Sequence, residues 1–276
     1  RFWFVPDGTA DGSLADMLAQ RCTNRRNYDD RPIAPELRDE LLAGANVGRP
    51  AIQLHWVDDE VHRDRVADAM AVFYQVLFEN PTMHLAFMEW LRWTPLSEAD
   101  VRTVLSLPSL ELAVVAKVAF RLVAAQWRAR LLSPTGLFRL YRLATSRHLR
   151  RSAAIGLITV PEYDAIQLVN AGEKFERLWL EATRKGLAFH PIGGLPFLAL
   201  RCRFAGGAGL TASQRRIAEK AIADVTKVWP AFSERMPAIM FRIGYAPPPS
   251  ARSVRLPLEE VFEFRGDSPS AADESW

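Results

Sequence analysis

The segment "RCTNRRNYDDRPI" gathers Arg21, Arg25, Arg26 and Arg31 around a single tyrosine, Tyr28, and a proline, Pro32. Guanidinium groups at this spacing, with the Thr23 hydroxyl between them, make a donor set suited to a phosphate dianion. Charge-assisted hydrogen bonds of that kind are roughly twice as strong as neutral ones. Asp29, Asp30 and Asp39 lie close enough in sequence to neutralise the same arginines. Spacing alone therefore leaves open an anion grip and a carboxylate-paired surface. A second arginine-bearing segment, "SARSVRLP", carries Arg252 and Arg255 near the other end of the chain.

Other chemistry is thinly represented. His55, His62, His84, His148 and His190 are scattered without metal-ligand spacing, and His190 stands apart because it precedes Pro191. Cys22 and Cys202 are too few and too far apart for a disulfide framework or a zinc site, which points to a reducing, cytoplasmic setting. Gly193-Gly194 and Gly206-Gly207 read as turns, since neither follows a strand with the glycine pattern of a nucleotide loop. No serine has a nucleophile-elbow context. With 35 basic and 32 acidic residues, the totals do not announce a nucleic-acid partner.

These groups need elements to position them. Ser13 is a candidate N-cap for a short helix carrying Leu14, Met17 and Leu18 on one face, and Pro32 stops the segment after it. "APELRDELLAGA" predicts a helix opened by Pro35 and ended by Gly44, and "AIQLHWVDD" alternates as a strand does. From Val61 to about Arg151 the chain reads as helical, divided by Pro81, Pro95, Pro108 and Pro134. Its dense aromatics, Phe73, Tyr74, Phe78, Phe87, Trp90 and Trp93, read as core packing. The apolar run "LELAVVAKVAFRLVAAQW" is interrupted by Lys117 and Arg121, so it predicts a buried helix and not a membrane span. "AAIGLITV" predicts an interior strand, "NAGEKFERLWLEATRKG" a helix capped by Gly186, "TASQRRIAEKAIADVTKVW" a helix capped by Thr211 or Ser213, and "PAIMFRIGY" a final strand. The order predicts an α+β domain with a sheet of few strands under many helices. The start at an arginine reads as a piece of something longer, and the small polar tail, residues 265–276, as disordered.

Four segments, in order, resemble a divergent branch of the nitroreductase superfamily. "RCTNRRNYDDRPI" resembles its FMN-phosphate motif, "HLAFMEWLRW" its helical insertion, "AGEKFERLWLEATRKGLAFHP" its long central helix, and "MFRIGYAPPPSARSVRLPLEEV" its closing strand and arm. The likeness runs from about Leu14 to Phe262. It implies a nitroreductase-like fold, a small, mainly antiparallel sheet surrounded by helices, as a single domain over residues 1–264 with residues 61–151 as a helical insertion or lid. It implies FMN as cofactor, with Arg21, Thr23 and Arg25 on the phosphate and ribityl chain. A register shifted by one makes Arg26 an equal candidate, with Arg255 and then Arg252 completing the site. Pro191, Ile192 and Gly193 would lie along the flavin ring edge. The activity implied is ping-pong hydride transfer from NAD(P)H by a homodimer with FMN at its interface. The branch includes domains fused to E1-like adenylyltransferases, so a partner domain of that kind is implied, as is a non-catalytic flavin-sequestering or docking role as the alternative. The chain departs from the family after its second helix, where "AGANVGRPAIQLHW" offers only Asn46 and Gln53 in place of the usual ring contact.

One charge feature lies outside the resemblance. No acid occurs from Leu112 to Pro161, while Lys117, Arg121, Arg128, Arg130, Arg139, Arg142, Arg147, Arg150 and Arg151 all do. An anionic partner, a membrane surface, NADPH phosphates, or acids elsewhere in the fold would each answer this charge. Neither nucleic acid nor a membrane is expected among the partners.

Overall fold

The computed structural model of the chain describes residues 12–45, 50–93, 105–112 and 114–252. Helices α1 (Ala15–Gln20) and α2 (Pro35–Ala45) precede strand β1 (Gln53–Val57). The stretch that the resemblance marks as an insertion follows: α3 (Glu60–Glu79), α4 (Pro81–Trp90), a parallel ribbon of β2 (Leu91–Arg92) with β3 (Leu105–Ser106), a 3-10 turn at Pro108–Leu110, then α5 (Val114–Val123), α6 (Gln126–Leu132) and α7 (Leu137–Arg150). The remainder is β4 (Ala154–Val160), α8 (Ala165–Arg184), β5 (Ala188–Ile192), α9 (Gly194–Ala205), α10 (Ala212–Thr226), α11 (Ala231–Glu234) and β6 (Met236–Gly244).

The main sheet has the order β1-β4-β6-β5, and each neighbouring pair is antiparallel. All seven residues of β4 are buried, which is why the "AIGLITV" run carries no polar alternation. The pleat splits the side chains between two layers. Ile155, Leu157, Met240 and Ile192 pack with Met70 of α3 and Leu195 of α9, whereas Ala154, Phe241 and Phe189 pack with Leu41 of α2 and with Leu178 and Trp179 of α8. Gly156 sits opposite Phe241 in the ladder, and a Cβ there would come within 2.1 Å of the Phe241 ring. The missing side chain is the space the ring fills.

Local signals explain most helix ends. Asp59 accepts from the His62 N–H at the start of α3, and Asn80 both ends α3 and caps α4, whose first residue is Pro81. Thr211 and Gln214 form a reciprocal capping box on α10. Gly186, with φ 71°, closes α8 as expected. Four expectations change. Leu14, not Ser13, holds the cap position of α1. Helix α2 runs one residue past Gly44. Helix α8 starts five residues earlier than Asn170, where Asp164 accepts from the Gln167 N–H. The helical stretch after Val61 is broken by the β2–β3 ribbon and two 3-10 turns, with Pro108 and Pro134 inside those turns and Pro95 outside the described residues.

The insertion has its own core, in which Phe78 meets Phe87, Phe120, Phe138 and Tyr141 at ring separations of 5.1–6.1 Å. Trp90 is an exception to the packing expectation, being 59% exposed. The basic stretch divides. Arg150 pairs with Asp64 and Asp68, and Arg151 with Asp30, while Lys117, Arg121, Arg128, Arg130, Arg139 and Arg147 have no ion pair among the described residues. No described helix is long and apolar enough to cross a membrane. The tail, residues 265–276, lies outside the described residues.

Candidate anion and cofactor site

The sequence after α1 does not turn back as a loop. It runs extended along the outer edge of β5, where Thr23 bridges Phe189 in parallel and the Asn24 N–H donates to the Phe189 carbonyl at 2.8 Å. Strand β5 is the sheet edge, so Pro191 can sit in it without removing a ladder bond. The turn expected at Gly193-Gly194 is therefore preceded by strand. His190, Pro191 and Ile192 are strand residues, and only Gly193, the N-cap of α9, turns the chain. Gly194 has a steric duty, because a Cβ there would fall 2.3 Å from the Phe73 ring.

The arm after β6 closes over the same edge. Asn24 Nδ2 donates to the Pro247 carbonyl at 2.9 Å, Arg26 Nε to the Pro248 carbonyl at 3.1 Å, and the Asp29 N–H to the Tyr245 carbonyl at 2.8 Å. Arg31 lies 3.3 Å from the Tyr245 ring centre, and Arg252 donates to the carbonyl of Gln20. Between arm and edge is an open cleft of about 420 Å³, lined by Gln20, Cys22, Asn24, Phe189, Pro248 and Arg252.

The predicted arginines take different directions. Arg21 reaches to α8, pairing with Glu176 and lying 4.7 Å from the Trp179 ring centre. Arg25 turns the other way and is half-buried; its Nη1 donates to the Ser109 carbonyl at 3.1 Å. Arg26 faces Glu111 at 3.7 Å. Arg25 and Arg26 therefore meet the same turn of the insertion, and Arg21 does not. Thr23 holds its place by its backbone bridge. Ile192 is buried in the sheet core, Gln53 is exposed on β1, and Arg255 and Asn46 lie outside the described residues.

Beneath Arg25 is a cationic cluster that the arginine motif alone does not announce. Arg242 of β6 is 0% exposed and has no ion pair among the described residues. Its Nε donates to His190 Nδ1 at 3.2 Å, Nη1 to the His148 carbonyl at 3.0 Å, and Nη2 to the Arg26 carbonyl at 2.9 Å and to His148 Nε2 at 2.7 Å. Its guanidinium also lies 4.1 Å from the Tyr28 ring centre. Arginine only donates, so both imidazoles must present lone pairs to it and stay neutral. Burial, and then the Arg242 charge, lowers the pKa of His148 to about 3 and that of His190 well below its ordinary value. Burial also raises the Tyr28 hydroxyl, which donates to the Asn24 carbonyl at 3.0 Å. The signal in the sequence was a lone arginine inside the apolar strand "PAIMFRIGY".

Glu111 is a second residue that its sequence context does not mark. It is the one non-glycine residue with positive φ among the described residues, at φ 53° and ψ 33°. That conformation costs on the order of 1 kcal/mol. Its side chain is only 6% exposed and accepts from the Ser250 N–H while facing Arg26. Among the described residues no cluster of histidine, cysteine or carboxylate could hold a metal.

Neither a protein-family model nor a curated protein matches the chain. Solved structures do. A point mutant of the FMN and NADPH-dependent nitroreductase NfnB, derived from sphigopyxis sp. strain HMH, is 15% identical, with a TM-score of 0.51 over 92% of this chain and 99% of that one. The FMN-dependent nitroreductase NfnB from Mycobacterium smegmatis, in complex with NADPH, is 17% identical with a TM-score of 0.48, again over 92% and 99%. Oxidized iodotyrosine deiodinase bound to FMN and 3-iodo-L-tyrosine is 14% identical with a TM-score of 0.48 over the same shares. The helices layered on a small antiparallel sheet give the chain a nitroreductase-like fold.

Proposed function

We propose that the chain is an FMN-binding oxidoreductase of nitroreductase type that passes hydride from NAD(P)H to an acceptor by a ping-pong sequence. One observation carries the reading. The segment Arg21 to Arg26 is hydrogen-bonded onto β5, the strand that runs directly into Pro191, Ile192 and Gly193. Two motifs far apart in sequence thereby share one edge of the sheet.

The residues present fit a flavin phosphate. Beside Arg25 and Arg26, a carboxylate oxygen of Glu111 already sits on a backbone N–H, and this is the donor set a phosphate monoester uses. Arg25 and Arg26 would hold the phosphate, Thr23 and Arg21 would flank it, and Arg252 with Arg255 would complete it from the arm. Pro191, Ile192 and Gly193 would line the ring edge. Bound FMN would supply the hydride chemistry, and the chain its binding, orientation and electrostatics. His148 and His190 stay neutral, so Arg25 and Arg242 give the site a net positive charge that draws an anionic ligand. Ile166, Val169, Phe197 and Phe204 are large apolar side chains left exposed on α8 and α9, which supports a homodimer, and a cytoplasmic location belongs to the same proposal. An adenylyltransferase domain joined to this one belongs to the same proposal.

The visible spectrum of the purified protein tests the reading. Flavin bands are expected, together with oxidation of NADH or NADPH when a nitroaromatic or quinone acceptor is added. Replacing Arg25 and Arg26 together by Ala should abolish FMN retention. A protein that stays colourless after incubation with FMN refutes the proposal. A second reading, a flavin-holding or docking module without turnover, draws on the insertion, which reaches Arg25 and Arg26 through Ser109 and Glu111. Bound FMN with no steady-state turnover would select it.

A further inference from the structure

Glu111 has a position that its own neighbourhood in sequence does not explain. It leaves the 3-10 turn Pro108–Leu110 in a left-handed backbone conformation that a glycine would take without strain. Its carboxylate is nearly buried, yet it comes from the insertion and enters a niche built by the two ends of the domain. Arg25 and Arg26 come from the edge segment, and the Ser250 N–H from the arm after β6. The neighbouring Ser109 carbonyl takes one of the five N–H donors of Arg25, and no other donor of that guanidinium makes a hydrogen bond among the described residues. A single negative charge thus faces Arg26, and beside it stands a half-buried Arg25 with most of its donors unused among the described residues. A phosphate monoester, with nearly two charges and three terminal oxygens, would satisfy that donor set more fully than one carboxylate does.

We propose that Glu111 is a tethered competitor for the phosphate group of the ligand, so that a phosphate monoester enters the niche beside Arg25 and Arg26 only as the Glu111 carboxylate leaves it. The inference rests on the reading that this niche takes the phosphate of FMN, and it adds the residue that sets the affinity. No bond is made or broken in the exchange. One anion replaces another, and the Leu105–Leu112 segment moves with Glu111. A ligand without the phosphate gains nothing from the loss of the carboxylate, so selectivity between phosphorylated and unphosphorylated forms is the distinguishing readout.

The experiment compares the full chain with Glu111→Gln and Glu111→Gly. The first keeps size while removing charge, and the second also relieves the left-handed backbone. FMN, riboflavin and inorganic phosphate are each titrated, by flavin fluorescence or by calorimetry, after thermal melts have shown that the variants are folded. Both variants should bind FMN about tenfold more tightly, equivalent to about 1.4 kcal/mol, and should bind inorganic phosphate more tightly too, with riboflavin unchanged. Equal or weaker FMN binding by both variants overturns the inference while leaving the flavin reading intact. A riboflavin gain as large as the FMN gain also overturns it, since opening of the cleft and not release of a phosphate competitor would then explain the change. Tighter phosphate binding by the variants with no FMN binding by any form upholds the competitor and sinks the flavin reading.

Discussion

Acidification to about pH 5 should weaken the fold through His148, and His148→Gln should remove that share of the loss. The side chain is locked as a neutral acceptor: Arg242 Nη2 donates to its Nε2 at 2.7 Å, and its Nδ1 lies 2.9 Å from Asn27 Oδ1. Burial, then the charge of Arg242, and lastly that of Arg151 hold its pKa at about 3. In the unfolded chain the same imidazole titrates near an ordinary value of about 6.5. Below that pH the unfolded state takes up a proton that the folded state refuses. The contribution is therefore whole above about pH 6.5 and declines as the pH falls toward 3. One proton gives a slope of about 1.4 kcal/mol per pH unit, so the step from about pH 6.5 to about pH 5 costs roughly 2 kcal/mol. This is a large part of a typical domain stability of about 5–15 kcal/mol. His190, His55 and His84 are also depressed, each chiefly by burial, and they steepen the curve in both proteins alike. Glutamine keeps an oxygen for Arg242 and an amide N–H for Asn27 without a titrating group. Urea unfolding followed by tryptophan fluorescence at about pH 7 and about pH 5 is the assay. The wild type should lose roughly 2 kcal/mol more than the variant between the two conditions. Identical losses would show that His148 is protonated in the folded state, and the account of the buried cationic cluster would fail with it.

Two further substitutions probe the frame that positions the site. Gly156→Ala places a methyl group on the Phe241 ring in a strand buried on both sides, and should cost about 3 kcal/mol in urea unfolding, at the upper end of overpacking. Thr211→Ala removes the hydroxyl that accepts from the Gln214 N–H, while the Gln214 side chain keeps the backbone N–H of residue 211 and Asn80 Nδ2, the latter at 3.1 Å. A loss of about 1 kcal/mol in thermal or urea melts is expected, without change in flavin retention.

The parts of the fold legible in the sequence were those in which local chemistry and tertiary environment agree. The β4 run is apolar because both of its faces are covered, and α10 announces itself through Thr211 and Gln214. Strand β5 was not legible, because its five residues include a proline and a histidine and its outer partner is a single bridge from Thr23, far back toward the start of the chain. The arginine motif was visible as a motif but not as a geometry. An extended segment presents successive side chains in alternation, yet Arg21 ends on Glu176 of α8 and Arg25 on Ser109 of the insertion, so packing partners and not spacing decide where each guanidinium goes. Arg242 gave a sign that composition hides, a charge in the middle of an apolar strand, and its meaning depends on two histidines brought in by α7 and β5. Glu111 gave none. It is the last acid before a stretch of bases, and only the fold carries it back along the chain to Arg26, next to the Arg25 that Ser109, 84 residues away, touches. The insertion therefore does more than add a helical layer. By delivering a carboxylate to Arg26 and a carbonyl to Arg25, it sets the terms on which any other anion can reach them.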